Sequence, residues 1–363
     1  MPRIPLPVPI GHDAGRHRLL IGTYTKGTSR GIYSVLMDAS TGALSAPELA
    51  AEAPNPTFLA LSPDRSLAYA VCAGDGWASS FKIDPSSGRL SPVQLSVPGS
   101  GPTHCHIAVD PSGRVAIAAN YHLAQAAAIP LNPDGTMGAP RVVSHSGKGP
   151  HAIRQASAHV HSANFSPDAR FAIVCDLGLD RIYTYGIDRG KVELTAGDPA
   201  YTDSTPGAGP RHLAFGKAGR HAYVINELDN TIVAYDYLPS NGGLVRLQAV
   251  SLLPSGYRGD ATAAEIRVHP NGRFVYGSSR GPDTLAVFAV HEGTGALSPV
   301  EIVPCGGKGP RNFSLSPDGR WLVCAHQGSD TLCSFEVSAE TGRLTRVPGA
   351  VEVSTPVCAV FVR

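Results

Sequence analysis

Charge is what this chain has least of. Asp, Glu, Lys and Arg make up 16% of the 363 residues, and 30 Lys and Arg nearly cancel 29 Asp and Glu, leaving a formal net charge of +1. No basic block stands out, so sequence-independent binding of nucleic acid has little electrostatic support. No apolar run approaches the roughly 18 residues that a membrane-spanning helix needs. The seven cysteines, at positions 72, 105, 175, 305, 324, 333 and 358, include no CxxC pair. Most sit inside apolar runs and read as buried free thiols of a reducing compartment. A zinc site needs close Cys/His pairs, and Cys105 between His104 and His106 is the one hint of it. A GxSxG elbow, an HExxH motif and a Walker loop are all missing. The N-terminal stretch MPRIPLPVPIGHDAGRH carries alternating prolines and no continuous apolar core, unlike a signal peptide. Residues 1–17 are expected to form a flexible tail, and the protein is expected to be cytoplasmic.

Helical periodicity is also absent, while 40 Gly and 31 Pro are spread along the whole chain, a mark of many turns between short strands. The turns repeat. One of the type TGxL occurs at Thr41-Gly42-Ala43-Leu44, and relatives of it fall around Gly88, Gly135, Gly190, Gly243, Gly295 and Gly342, in steps of 46, 47, 55, 53, 52 and 47 residues. An SPDG-like turn starts at Ser62, Asp110, Ser166, Gly216, His269 and Ser316, out of phase with the first marker. Between markers lie strand-like runs, such as Phe58–Leu61, Leu67–Val71, Ser79–Ile83 and Val93–Ser96. Four short strands per roughly 50 residues is the signature of a propeller blade. The C-terminal run Thr355–Val362 resembles a leading strand with no turn after it, and the first blade, starting near Leu19, lacks one. The expected architecture is an all-β, seven-bladed β-propeller over residues 18–363, its ring closed by the C-terminal strand joining the N-terminal blade. Closure removes two exposed sheet edges.

The repeat phases the polar residues. Counted from the first residue of each SPDG-like turn, position −5 holds Thr57, Cys105, His161, Arg211, Ala264 and Arg311. Position −4 holds Phe58, His106, Ser162, His212, Glu265 and Asn312. Position +10 holds Cys72, Asn120, Asp176, Asn226, Ser279 and His326, and +11 holds Ala73, Tyr121, Leu177, Glu227, Arg280 and Gln327. Antiparallel pairing brings all four rows to one end of the sheets, so they are expected at one mouth of the central channel. Arginines there suit a carboxylate or phosphate, and a His near a Glu suits proton transfer near neutral pH. A self-satisfied, water-filled polar channel is the alternative reading. The GxGP entries at Gly99, Gly147, Gly207 and Gly307 are turn chemistry, with backbone N–H groups that could also face an anion.

At these residues the sequence resembles the lactonases with a seven-bladed β-propeller, typified by the bacterial propeller-type 6-phosphogluconolactonase and related to the fungal carboxymuconate lactonising enzyme. The matching stretches include GTYT at 22–25, HSANFSPD at 161–168, GAGPRHLAF at 207–215, NEL at 226–228, EIRVHPNGRFVY at 265–276 and GKGPRNFSLSPDGRWL at 307–322. The resemblance covers about residue 18 to 363. It implies a sugar-lactone hydrolase of carbohydrate metabolism that needs neither metal nor cofactor, with 6-phosphogluconolactone of the pentose phosphate pathway as the expected substrate. The implied partner is a small anionic lactone, with no nucleic acid and no membrane.

The family's site groups fall on His161, Arg211, Glu227 and Arg280. The resemblance casts His161 as the base that activates water and Glu227 as the group that orients it or shares its proton. Arg211 and Arg280 then stabilise the oxyanion or hold the substrate's anionic group. Arg311, His106, His212, Asn120, Asp176 and Asn226 are expected to contact substrate. A muconate-type lyase and a non-catalytic binding propeller are the alternatives. A calcium-dependent variant would draw on Asn120, Asp176, Asn226 and Glu227. The family's glycine-rich NYGGG-like run is replaced here by Asn120-Tyr121-His122-Leu123-Ala124-Gln125, a bulkier loop at the mouth.

Overall fold

The computed structural model describes residues 15–72, 78–96 and 104–362. They form strands, turns and loops without a helix, arranged as seven antiparallel sheets. The N-terminal tail falls outside the described residues up to position 14. Arg16 and His17, expected in that tail, already pair with Asp38 and Met37 in the first strand. The Gly99 GxGP entry and Ala73 also fall outside the described residues.

Each blade runs from an inner strand outward. The inner strands are Phe58–Leu61, His104–Val109, Val160–Phe165, Pro210–Phe215, Thr262–Val268 and Pro310–Leu315 for blades two to seven. In the first blade the inner strand is C-terminal: Pro356–Phe361 pairs with Arg16–Thr23, matching Leu19 to Phe361 and Gly22 to Cys358. The ring therefore closes as the surplus and missing strands in the sequence require. Expected strand boundaries hold closely, although the outer strand of the second blade begins at Leu90 rather than Val93.

The second strand of each blade is its core. Val115–Asn120, Phe171–Asp176 and Trp321–His326 are buried along their whole length, because both faces of a blade pack on neighbours. Between blades five and six, for example, Ile225, Ile232 and Leu252 pack with Ile266, Val275 and Ala286. The TGxL glycines key this packing. A Cβ on Gly42 would stand 2.3 Å from the Trp321 ring of the last blade, and one on Gly342 would stand 2.4 Å from Phe274. Both glycines also have positive φ, so the repeated turn needs glycine for its backbone and for the socket it offers the preceding blade. In the fifth blade the glycine in this conformation is Gly242, beside Phe171, rather than Gly243.

Blades are also tied through the GxGP entries. Asp180 of the fourth blade accepts from the N–H groups of Gly207 and Gly209 at 2.6 and 2.7 Å. Asp283 accepts from Gly309, and Asp330 from Thr355 at the start of the closing strand. These N–H groups are spent on the neighbouring blade rather than presented to an anion. All seven cysteines are free; six are buried and Cys105 is half-buried. Among the described residues no helix is long and apolar enough to cross a membrane. Deleting residues 356–363 is expected to remove the inner strand of the first blade and expose two sheet edges. Thermal unfolding should lose its single cooperative transition, and retention of wild-type melting would mean the ring does not depend on this closure.

Candidate active site

A register slip aims the site residues. In the fourth blade Val160 pairs with Asp176 and Ser162 with Cys175, so His161 is an extra, bulged residue. The same slip makes Cys105, Arg211, Arg311 and Val357 the extra residues of blades three, five, seven and one. In the sixth blade it spans Ala264 and Glu265. A β-bulge leaves a residue out of the ladder and re-aims its side chain. In blades one, three, four, five and seven it turns the extra residue into the channel. Thr57, Cys105, His161, Arg211, Arg311 and Val357 all line one cavity of about 550 Å³.

Only one of the two returning rows joins them. Tyr121, Glu227 and Arg280 of row +11 line the cavity, as does Tyr24, which follows the last paired residue of the first blade's second strand. Asn120, Asp176 and Asn226 of row +10, expected as substrate contacts, do not line it. Successive residues of an extended strand face opposite ways, so rows +10 and +11 cannot both enter the channel. The +10 side chains instead hold the turns behind it. Asp176 Oδ1 accepts from the N–H groups of His159, Gly178 and Leu179, and its Oδ2 lies 2.7 Å from His145 Nδ1. Asn120 Oδ1 accepts from Leu123 N, and Asn226 donates to Thr231. With these three turned away, the calcium ligand set considered from the sequence does not converge. Among the described residues no group of three or more His, Cys, Asp or Glu is placed to hold a metal, the His104-Cys105-His106 run included.

Glu227 is the organising group. Its Oε2 accepts from Arg211 Nε at 2.9 Å and lies 3.2 Å from Arg280 Nη2, while Oε1 pairs with Arg154. Burial pushes this carboxyl's pKa up, but Arg280 and Arg211, helped by Arg154, pull it down further and hold it well below the ordinary range. The arginines are fixed from behind as well. Arg280 donates to the carbonyls of Thr262 and Ala263, and Arg211 to that of Ala264, carbonyls of the bulged sixth inner strand. Burial brings the Arg280 guanidinium down to about 10, partly offset by Glu227.

The histidines divide differently from expectation. His161 Nε2 stands 4.0 Å from Glu227 Oε2, beyond hydrogen-bond reach, and its Nδ1 has no hydrogen-bond partner. Among the histidines that line the cavity, it is His212 that hydrogen-bonds a carboxylate, Glu265, at 3.1 Å. Glu265, fully buried, also accepts from Ile266 N and Asn312 and pairs with Arg267. The second nitrogen of His212 lies 3.2 Å from Arg211 Nη1, so His212 props Arg211. His106 does not line the cavity. It lies behind, its ring 4.3 Å from that of Phe58 and 5.3 Å from that of His212. Burial, then Arg211, holds the pKa of both His161 and His212 well below the usual imidazole value, so both are neutral at pH 7.

Arg154 escaped the sequence reading because it belongs to no repeat position. It sits in the connection between blades three and four, inside the longest step of the turn marker, 55 residues. That excess length was its only signal. Buried Gln155 holds the connection by donating to Leu177 O and Asp180 Oδ1 at 2.9 and 2.7 Å and accepting from His151 N at 3.0 Å. The bulky Asn120–Gln125 loop contributes Tyr121 and His122 to the same wall, with Tyr121 stacked on His159 at 4.2 Å. Arg154→Ala is expected to lower kcat/KM by about 10-fold and to leave the melting temperature nearly unchanged, since the side chain is 35% exposed. Unaltered kinetics would remove Arg154 from the site.

The fold and its cation-lined mouth define a class. The chain belongs to the lactonase family with a seven-bladed β-propeller, whose family model matches residues 18–361, and is thereby a lactone hydrolase. Among its relatives, the 6-phosphogluconolactonase of Bacillus subtilis (strain 168) is 39% identical over 346 residues, covering 94% of this chain and 97% of that protein. A solved structure from Lactobacillus plantarum superposes with a TM-score of 0.89 at 32% identity, covering 96% of this chain and 100% of that one. The periplasmic gluconolactonase of Pseudomonas aeruginosa superposes with a TM-score of 0.87 at 33% identity, covering 96% and 99%.

Proposed function

We propose that the protein hydrolyses an anionic sugar lactone, 6-phosphogluconolactone, to the open-chain acid, and that it does so in the cytoplasm. The observation that carries this reading is the charge balance of the cavity. Among the described residues, Lys26, Arg154, Arg211, Arg280 and Arg311 line it against the single carboxylate Glu227. In a chain with net charge +1, so local an excess is matched to an anionic ligand. The similarity to a 6-phosphogluconolactonase supports the phosphorylated substrate, and seven free thiols support a reducing compartment.

In the reaction, water attacks the lactone carbonyl, a tetrahedral oxyanion forms, and the ring oxygen leaves with a proton. His161, neutral and on the cavity wall, accepts the proton from the attacking water and returns it to the leaving oxygen. Arg211 and Arg280 face the developing oxyanion. Glu227 is already bound to three guanidiniums, which makes it a poor proton acceptor. Its part is to hold those guanidiniums in place. The carbonyl is polarised by arginines, so no metal is required.

The test is turnover of 6-phosphogluconolactone against gluconolactone by purified protein, with and without chelator, each rate set against spontaneous hydrolysis. Chelator-insensitive turnover of the phosphorylated lactone is expected. The arginines would suit a dicarboxylate as well, so a carboxymuconate lactone is the control substrate. Turnover of that compound alone would replace the proposal.

A further inference from the structure

The cations of the cavity are not equivalent. Arg154, Arg211 and Arg280 all converge on Glu227. Arg311 and Lys26 make no ion pair with any carboxylate among the described residues. Instead, both flank one aromatic ring: the Arg311 guanidinium carbon and Lys26 Nζ each lie 5.7 Å from the centroid of Tyr24. Arg311 comes from the bulged position of the seventh inner strand, and Lys26 from the loop after the first blade's second strand. The two reach the same tyrosine ring only because the propeller closes.

The loop carrying Lys26 is anchored rather than free to swing. Lys26 O accepts from Ser354 Oγ and Ser29 N, both at 3.1 Å. Tyr24 N donates to Thr355 O, and Thr355 Oγ1 donates back to Tyr24 O. Thr25 and Asn55 exchange hydrogen bonds, Thr25 N to Asn55 Oδ1 at 3.0 Å and Asn55 N to Thr25 Oγ1 at 3.2 Å. Asn55 lines the cavity too; its side-chain oxygen is used by Thr25 N, and its Nδ2 donates to no partner among the described residues. An ammonium, a guanidinium and an amide N–H₂ thus line the same cavity, all donors. Arg311 also adds to the unfavourable field on Arg211 and Arg280, a repulsion that an added anion would relieve.

Resting on the lactonase reading above, we propose that Lys26, Arg311 and Asn55 form a phosphate subsite. It would bind the phosphate monoester of the substrate while the lactone carbonyl faces the Arg211–Arg280–His161 wall. A phosphate monoester carries close to two negative charges at neutral pH and three acceptor oxygens. It matches a point charge, a planar fork and an amide better than a hydroxymethyl group does. This subsite sets the preference for phosphorylated over plain sugar lactones.

The experiment uses Lys26→Met and Arg311→Gln in the full chain, with thermal melting as the folding control. One readout is the ratio of kcat/KM for 6-phosphogluconolactone to that for gluconolactone. The other is calorimetric affinity for 6-phosphogluconate, gluconate and inorganic phosphate. Each substitution is expected to lower the kcat/KM ratio, and the preference for 6-phosphogluconate over gluconate, by about 10- to 100-fold, the worth of one charge-assisted hydrogen bond. Competition by inorganic phosphate should weaken in parallel. An unchanged ratio in both folded variants overturns the subsite. If wild-type protein hydrolyses neither lactone, the lactonase reading fails separately and the calorimetry decides. The subsite then stands only if wild type prefers 6-phosphogluconate and the variants erase that preference, and it falls if wild type shows none.

Discussion

Glu227→Gln is expected to lower kcat/KM by roughly 10³-fold and to destabilise the fold by about 3–5 kcal/mol. The stability figure is the usual cost of removing one partner from a buried ion cluster, and Glu227, Arg211 and most of Arg280 are out of solvent. Without the carboxylate, the described lining of the cavity keeps five cationic side chains and no anion. Arg211 and Arg280 would then separate under their mutual repulsion. Misplacing one oxyanion donor costs about 10²–10³ in kcat, and here two move together. The origin of the loss can be tested by compensation. Adding Arg280→Gln to Glu227→Gln should recover part of the lost stability, because the excess charge is reduced, while activity stays low. Wild-type turnover and melting in Glu227→Gln would contradict the organising role of this carboxylate.

The second large effect is on stability in mild acid. Burial holds four histidines of the inner strands neutral in the folded state. His104 is pushed down to about 4 and His106 to about 3, while His161 and His212 are held well below 6.5. In the unfolded chain all four titrate near the ordinary value of about 6.5. The sign follows from proton counting. Below pH 6.5 the unfolded chain takes up protons that the folded chain refuses, so stability is fully present above that pH and is lost as pH falls. Each such histidine costs about 1.4 kcal/mol per pH unit, so the four together remove roughly 5.5 kcal/mol per unit once well below pH 6.5. Glu227, with its lowered pKa, adds a loss of the same sign below the ordinary range of a glutamate. Denaturant unfolding between pH 7.5 and 5 should show a steep decline. His106→Asn, away from the cavity, should flatten the slope by close to one proton. Stability that stays level down to pH 5 would mean these histidines charge within the fold.

Much of this was readable from the chain alone. Two turn markers, out of phase and repeated at about 50 residues, can only be satisfied by similar sheets, and the unmatched run Thr355–Val362 announces how the ring closes. The repeat also phased Arg211, Glu227, Arg280 and His161 to one end of the channel, where the structure has them. It erred where phase was not enough. Asn120, Asp176 and Asn226 share that end with Glu227 but face the other way, because neighbouring residues of a strand alternate. His106 stands behind Phe58 and His212. Tyr24 was overlooked because the first blade has no SPDG-like turn to count from, and Lys26, Asn55 and Arg154 because they lie in connections.

The amino-acid sequence by itself determined the blade, the number of blades and the closing strand, since these follow from turn chemistry and from the need to bury both faces of every sheet. Only the tertiary structure decided which polar residues meet. A one-residue bulge occurs in six of the seven blades and in five of them brings the extra residue to the channel, and a bulge is a property of pairing register, which neither strand shows alone. The partition of the cations is of the same kind. Glu227 gathers Arg154, Arg211 and Arg280 from three connections or blades, and Lys26 and Arg311 come together only across the seam of the closed ring. Which charges neutralise one another depends on distances across the channel, and those exist only once all seven blades are in place.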